Sequence, residues 1–375
     1  MGRSGIPGEW TLGVEEEFFL VDGTGRLVPR APEALGETED PDADLKPELL
    51  RYQVESATGV CRDAHDLHRE LTDLRNQLAL GAARQDARLA ASGTVVHAQN
   101  GDALIGPGSR YHQIAEHFGQ LVVGGLVCGC HVHVGVDDRA VALKVSNHLR
   151  PWLPVLLALS ANSPFVDGKP TGYASSRHLL YSRWPSGGPP PYLESLDQYE
   201  SIVAGYLEAE AALDRKMVYW DVRPSEHQPT IEIRVGDVAA TAQEATLFAI
   251  VVRCLVAHAM DLIADGVAAP NVPGELLRAG MWRAAKDGLA GFCPDPRTGE
   301  LRAVQAILDE EINRCTPELK RTEELELVTS TMDWLRQRGG GAERQLRAFE
   351  QHRRLDDALD EIVVPAPAMG VERHL

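Results

Sequence analysis

The stretch TLGVEEEFFLV, residues 11–21, decides how the fold is read. After its acidic triplet, Phe18, Leu20 and their neighbours follow the alternation of a strand. Alternate side chains of a strand share a face, so Glu15 and Glu17 project together while Glu16 and Phe18 point the other way. Two like charges so close need a cation. Hard carboxylate oxygens favour magnesium or manganese over zinc, and magnesium usually links carboxylates to nucleotide phosphates. The plainer alternative, a solvated edge carrying three glutamates, sits badly with the apolar residues that flank it.

Two segments further on repeat the pattern. In GGLVCGCHVHVGV, residues 124–136, Cys128 and Cys130 share a face with Val132 and Val134, while Gly129, His131, His133 and Gly135 occupy the other. The two thiols and two imidazoles suggest zinc, but four-fold ligation would require breaking the strand. The histidines are therefore expected to face a cleft, with the glycines leaving room for a ligand; hydrogen-bonded core histidines are the alternative. In PTIEIRV, residues 229–235, Thr230, Glu232 and Arg234 share a face backed by Ile231, Ile233 and Val235. A carboxylate beside a guanidinium suggests a metal ligand next to a phosphate or carboxylate clamp, against the alternative of a structural ion pair. Glu48, Glu55 and Gln53, in and beside an extended segment at 49–58, can add to the acidic set.

Between these strands the periodicity turns helical. Leu67, Leu71, Leu74 and Leu78 mark an amphipathic helix that Gly93 is expected to close, with a short strand at 94–98. Residues 140–161 read as two helices divided at Pro151 and Pro154. The Gly-, Pro-, Ser- and Arg-rich stretch 162–192 is long for a connector and reads as a functional loop or lid. Its Arg177 and Arg183, near Ser175, Ser176, Tyr181 and Trp184, are candidates to close on an anion. Arg223, in a strand at 218–223, is another. An apolar helix follows at about 241–265, and everything after Gly274 reads as helical. The sum is an α+β fold with one sheet face lining a cleft. Residues 11–364 are expected to form one catalytic domain whose part from 274 to 364 is helical, between flexible ends at 1–10 and 365–375.

A chain of 375 residues, 44% hydrophobic, can bury a large core. Its net charge of -18 would repel phosphate backbones and anionic lipid heads, so nucleic-acid and membrane-surface roles are set aside. No signal peptide or membrane span is evident, because the best stretch, 247–260, is interrupted by Arg253 and His258. Six scattered cysteines suggest reduced thiols and a cytoplasmic protein. The familiar phosphate-binding glycine loops are missing, as are the serine elbow and the His-Glu-x-x-His helix. If ATP binds, metals must hold it.

Six ordered motifs then carry a resemblance: GVEEEF at 13–18, QVESATGVC at 53–61, CGCHVHVG at 128–135, LRPWLPVLLALSANSPF at 149–165, YWDVRPS at 219–225 and PTIEIRVGD at 229–237. Together they resemble the type 2 glutamate-cysteine ligase family, also called carboxylate-amine ligases. The resemblance implies a glutamine synthetase/guanido kinase-like fold, in which a curved, largely antiparallel sheet forms a funnel with helices behind it. It implies a reaction in which ATP phosphorylates a carboxylate, typically the γ-carboxylate of glutamate, and an amine such as cysteine displaces phosphate. Carried over by position, Glu15, Glu17, Glu48, Glu55, His131 and Glu232 would hold Mg2+ (or Mn2+), with His131 a better ligand than His133. His133, Gln53 and Arg234 would meet the nucleotide, and Arg234 would stabilise the transferred phosphoryl group, with Arg177, Arg183 and Arg223 as further catalytic cations. The partners would be small-molecule carboxylates and amines, and a homodimer is compatible. Two rival readings keep the same cluster: a metal-dependent amidase that works without ATP, and a non-catalytic metal- or nucleotide-binding module.

Overall fold

The computed structural model describes residues 10–38, 43–97, 104–123 and 126–367. The expectations for 1–9 and 368–375 lie outside the described residues. Among the described residues, eight strands make one sheet: β1 (Leu12–Val21), β2 (Asp44–Pro47), β3 (Gln53–Ala57), β4 (Arg88–Ala90), β5 (Gly129–Gly135), β6 (Val222–Pro224), β7 (Thr230–Asp237) and β8 (Val363–Val364). Every pairing is antiparallel, in the order β8-β4-β1-β5-β7-β6, with β3 also on β1 and β2 beside it. Phe19 lies opposite both Gln53 and Ala90, so β3 and β4 flank β1 on opposite edges. The long first strand is the spine to which both halves of the sheet attach.

Burial alternates cleanly along the first seven residues of β1, with Leu12, Val14, Glu16 and Phe18 buried and Gly13, Glu15 and Glu17 partly open. That is the signature of a sheet with one face in the core and one in a cleft. The core face packs Leu12, Val14, Cys130, Val132, Ile231 and Ile233 against Leu67 and Leu71, Leu153 to Leu157, and Phe248. Glu16 is sealed on this apolar face, where Arg75 meets it with two hydrogen bonds of 2.8 and 2.6 Å. Removing one partner of such a pair typically costs about 3–5 kcal/mol, because the other is left charged and buried.

The helices behind the sheet begin at legible caps. Asp63 accepts from the amides of His65 and Asp66 at the start of the Ala64–Ala83 helix, and Thr241 accepts from Glu244 at the start of Ala242–Ala264. The latter is long and apolar enough to span a membrane by length and composition, yet residues 245–256 are buried in the core. The proline-marked division at 150–154 is a single 3-10 turn, Arg150–Trp152, between the Arg139–Leu149 and Leu153–Ser160 helices.

Four sequence expectations are corrected. The first helix stops at Ala83, because the chain turns through Asp86 (φ 53°) into β4. The short strand therefore lies at 88–90, and Thr94 makes only an isolated bridge to Val127. The stretch 162–192 is not an open loop but carries a small hairpin (Phe165–Val166 with Lys169–Pro170) and a helix at Ser176–Tyr181, and it walls one side of the cavity with Tyr181 and Trp184. Asp237, fully buried, clamps it by accepting from the Asn162 amide and the Ser163 and Ser175 hydroxyls at 2.9, 2.6 and 2.8 Å. Beyond Gly274 the helices are interrupted by a hairpin, Phe292–Pro294 with Leu301–Ala303, where Pro294, Pro296 and Gly299 break helical continuity, and by β8.

Candidate active site

Register brings the polar residues together. Across β1 and β5, Glu15 lies opposite His131; across β5 and β7, His133 lies opposite Glu232; across β1 and β3, Glu17 lies opposite Glu55; across β6 and β7, Arg223 lies opposite Glu232. All of these side chains line one cavity of about 490 Å³ on the cleft face, together with Lys46, Glu48, Gln53 and Arg234.

Two donor triads emerge among the described residues. Ligand atoms of Glu15, His133 and Glu232 lie within 4.8 Å of one another, as do those of Glu17, Glu48 and Glu55. His131 sits between the triads, its Nδ1 3.2 Å from Glu15 and its Nε2 4.0 Å from Glu17. The grouping therefore favours His133 over His131 as a member of a compact ligand set, the reverse of the sequence expectation, because Glu232 is registered with His133. His133 Nδ1 is 2.9 Å from Thr230 Oγ1, and its Nε2 is buried without a hydrogen-bond partner. With the proton on Nδ1, that nitrogen presents a lone pair to the triad, a common arrangement for a metal-binding imidazole.

The carboxyl groups are tuned apart. Burial opposes ionisation of Glu15, but the hydrogen bond from His131 and the nearby charges of His131 and His133 outweigh it and hold the group far below the usual carboxylate range. Glu232 is likewise buried, and Arg234 and Arg223 hold it low. Burial raises Glu17, with the Glu48 charge adding to it and His131 and Arg177 opposing. Glu55 is raised well above its ordinary value by burial and then by the charges of Glu48 and Glu15. Two crowded carboxyls with raised proton affinity, Glu17 and Glu55, beside two that stay ionised, Glu15 and Glu232, make a donor set that a hard divalent cation would satisfy.

The predicted cations divide. Arg223 donates to Glu232 at 2.8 Å and to the Val218 carbonyl at 2.5 Å, and Arg234 donates to Glu232 and, at 3.3 Å, to Tyr181 Oη. Arg183 is exposed and does not line the cavity, because the wall carrying it is anchored with that position outward. Arg177 is buried outside the cavity lining, with a structural task. Between β5 and β7 the register slips so that Arg234 and Val235 oppose the single residue His131, a β-bulge. Arg177 donates to both carbonyls of that bulge at 3.3 Å. Gln53 lines the cavity but spends its amide on the Val127 carbonyl at 2.8 Å.

The sequence reading missed Lys46, Lys216 and the Arg110–Tyr111 corner. Arg110 is held by Asp214 at 2.6 and 3.1 Å, on the Ser109–Phe118 helix. Trp184 and Tyr219, 5.4 Å apart between ring centroids, and Tyr181 form an aromatic side of the cavity with Tyr111. Asp221 was also passed over. It is 1% exposed, and burial pushes its carboxyl up to about 7 against the opposing charges of Arg177 and Arg234.

Comparison with solved structures places this architecture. Glutamate–cysteine ligase from Francisella tularensis superposes with a TM-score of 0.67 over 94% of this chain and 87% of that one, at 12% identity. A bifunctional glutathione synthetase from Pasteurella multocida superposes at 0.68 over 95% of this chain and 52% of that one, at 15% identity. A sheet with acidic clusters and an arginine on its open face, on this fold, defines a ligase of the carboxylate–amine class. The chain belongs to glutamate-cysteine ligase family 2, whose model matches residues 11–361. A relative from Rhodococcus jostii, provisionally named glutamate–cysteine ligase 2-1, is 46% identical over 90% of this chain and 92% of its own. A Nocardia farcinica relative with the same provisional name is 44% identical over 90% and 88%.

Proposed function

We propose that this ligase uses ATP and Mg2+, with Mn2+ as a substitute, to phosphorylate a carboxylate, the γ-carboxylate of glutamate being the leading candidate, and then to join it to an amine. The carboxylate oxygen attacks the γ-phosphorus and the bond to the β–γ bridging oxygen breaks, giving ADP and an acyl phosphate. The amine nitrogen, cysteine's or that of another amino acid or amine, then attacks the acyl carbon. Phosphate leaves with the electrons of its C–O bond, and the nitrogen loses a proton.

The observation that carries the proposal is the pairing of two compact donor triads in one cavity with Arg234 beside Glu232. Glu15, His133 and Glu232 would hold one ion and Glu17, Glu48 and Glu55 a second, with His131 fixing the carboxylates between them. Such ions, when bound, link phosphate oxygens to the protein and offset charge during transfer. Arg234 supplies a fixed positive charge for the equatorial oxygens of the transferred group, and Arg223 keeps Glu232 ionised and oriented. The Francisella ligase of this fold was solved in complex with AMP, which agrees with a nucleotide site in such a cleft. The buried thiols, with all six cysteines unpaired, suit a reducing cytoplasm.

The test is ADP release with Mg2+ over a panel of amino acids and amines, with γ-glutamyl amides identified by mass spectrometry. The reading requires ADP and amide in equal amounts. Glu15→Gln or Glu232→Gln is expected to lower turnover about 10²- to 10³-fold in folded protein. Amide cleavage without ATP, or full activity of both variants, would sink it.

A further inference from the structure

Three buried polar atoms around the bulge lack hydrogen-bond partners: Asp221 Oδ2, Arg177 Nε and Arg234 Nε. Asp221 and Arg177 are 1% and 2% exposed, so solvent does not compensate them. Leaving such groups unmet costs stability, and a native structure that keeps a cluster of them calls for a functional explanation. Here the cluster lies beside the cation assigned to phosphoryl transfer.

The register explains their meeting. β6 and β7 pair Val222 with Ile233 and Arg223 with Glu232, and the amide of Arg234 donates to the Asp221 carbonyl at 2.8 Å. Asp221 therefore stands across from Arg234, one step beyond the ladder, just as Arg223 stands across from Glu232. Trp220, its neighbour, is buried on the opposite side with Tyr199 and Val203. Arg177 and Arg234 are the two cations whose charge acts on the Asp221 carboxyl. Yet Arg234 spends its side-chain bonds on Glu232 and Tyr181, and no salt bridge joins it to Asp221.

Glu232 is already crowded. Arg223 and Arg234 both donate to it, and it also belongs to the His133 and Glu15 triad. A cation held by that triad would draw electron density from Glu232 and repel the adjacent guanidinium, and the Arg234–Glu232 bond would weaken. The guanidinium then needs a second anionic anchor facing away from the metal.

We infer that Asp221 is that anchor, a positioning residue that takes hold of Arg234 when Glu232 turns to a cation and so fixes the guanidinium for the transferred phosphoryl group. The inference rests on the proposed role of Arg234. It also accounts for the retention of a buried carboxyl oxygen with no hydrogen-bond partner, since Arg234 would reach it in the loaded site.

Asp221→Asn keeps the shape and removes the charge. The expected result is a folded protein with a melting temperature equal to or above that of the original, with Mn2+ affinity in the absence of nucleotide changed less than about threefold. ADP formation should fall about tenfold to a hundredfold, in the range of a misaligned catalytic group, and binding of a fluorescent ATP analogue with Mn2+ should weaken. In an Arg234→Lys background the same substitution should add little, because residues acting as one unit are not additive. Unchanged turnover and nucleotide binding in Asp221→Asn would overturn the inference. So would independent, multiplying losses in the double variant, or a melting temperature that drops along with activity, which marks a merely structural carboxyl. Wild-type turnover in Arg234→Lys and Arg234→Ala would instead remove Arg234 from the chemistry and with it the proposed mechanism. Impaired Arg234 variants beside an unimpaired Asp221→Asn would reject Asp221 alone.

Discussion

Glu55 and Glu232 face the same cavity, yet the same substitution should move the stability of the metal-free protein in opposite directions. Burial and its carboxylate neighbours raise Glu55, so its folded state holds a proton more tightly than the unfolded chain. The stability it contributes is complete below its unfolded value of about 4.3 and is lost as pH rises through the folded one. Glu232 is depressed by Arg234 and Arg223 despite its burial. Its contribution is present above about 4.3 and is lost only as pH falls well below that. Glu55→Gln is therefore expected to raise the melting temperature of metal-free protein, and to raise it more at pH 8 than at pH 5. Glu232→Gln should lower stability by about 3–5 kcal/mol at both, because buried Arg223 and half-buried Arg234 lose their counter-charge. Thermal and urea melts of the three proteins at the two pH values, in the presence of a chelator, measure this. A pH-independent effect of Glu55→Gln would mean that its like-charge crowding is already relieved. The faces of these residues were legible beforehand because strand alternation has a period of two. The opposite titration of residues sharing that face was not, because it depends on cross-strand neighbours that no local pattern specifies.

The bulge between β5 and β7 is the element on which site geometry turns. One extra residue in β7 leaves the carbonyls of Arg234 and Val235 to Arg177, whose guanidinium lies over Gly129. A Cβ at Gly129 would fall 2.3 Å from Arg177 Nη2 and 2.9 Å from its Cζ, so either the arginine or the strand must move. The Gly129 amide also donates to Glu17 at 2.7 Å, which ties the bulge to the acidic triad. Gly129→Ala should cost about 1–3 kcal/mol by overpacking and lower activity of the folded fraction at least tenfold. Unfolding curves together with ADP release per folded molecule separate the two effects, and full specific activity would show that the bulge tolerates displacement. Sequence marked Arg177 as important but misread its task. Its charge and glycine-rich surroundings resembled an anion-closing loop, while the buried anchors Asp237, Ser163 and Ser175 that make a wall of it are distant in the chain. A one-residue bulge leaves no periodic trace, whereas the helix starts at Asp63 and Thr241 were readable because their caps are local.

At the scale of the whole molecule, the residues after Gly274 are bound into the catalytic sheet rather than appended to it. β8 pairs with β4, and Gln345 on the Gly341–His352 helix donates at 2.7 Å to Asn162, the residue whose amide Asp237 holds. Arg344 donates to both carboxylate oxygens of Glu244 at 3.0 and 2.9 Å. Glu324, fully buried, accepts from the Ala64 amide at 2.7 Å and pairs with Arg253, tying together the starts or middles of three helices behind the sheet. These contacts argue for one cooperative unit from residue 11 to residue 364, and two measurements test it. A chain ending at Gly339 strips Asn162, Glu244 and β4 of buried partners, so it should lack near-ultraviolet circular dichroism and nucleotide binding even where helix content survives. Glu324→Gln leaves Arg253 without its full counter-charge and should lower stability by about 3–5 kcal/mol. One cooperative unit would show that loss as a shift of a single transition followed identically by fluorescence and circular dichroism. Two separated transitions, with residues beyond 274 melting first while nucleotide binding persists, would divide the chain into two units. A single shifted transition with unchanged turnover below it would show that the helical layer supports the site through the stability of the whole sheet.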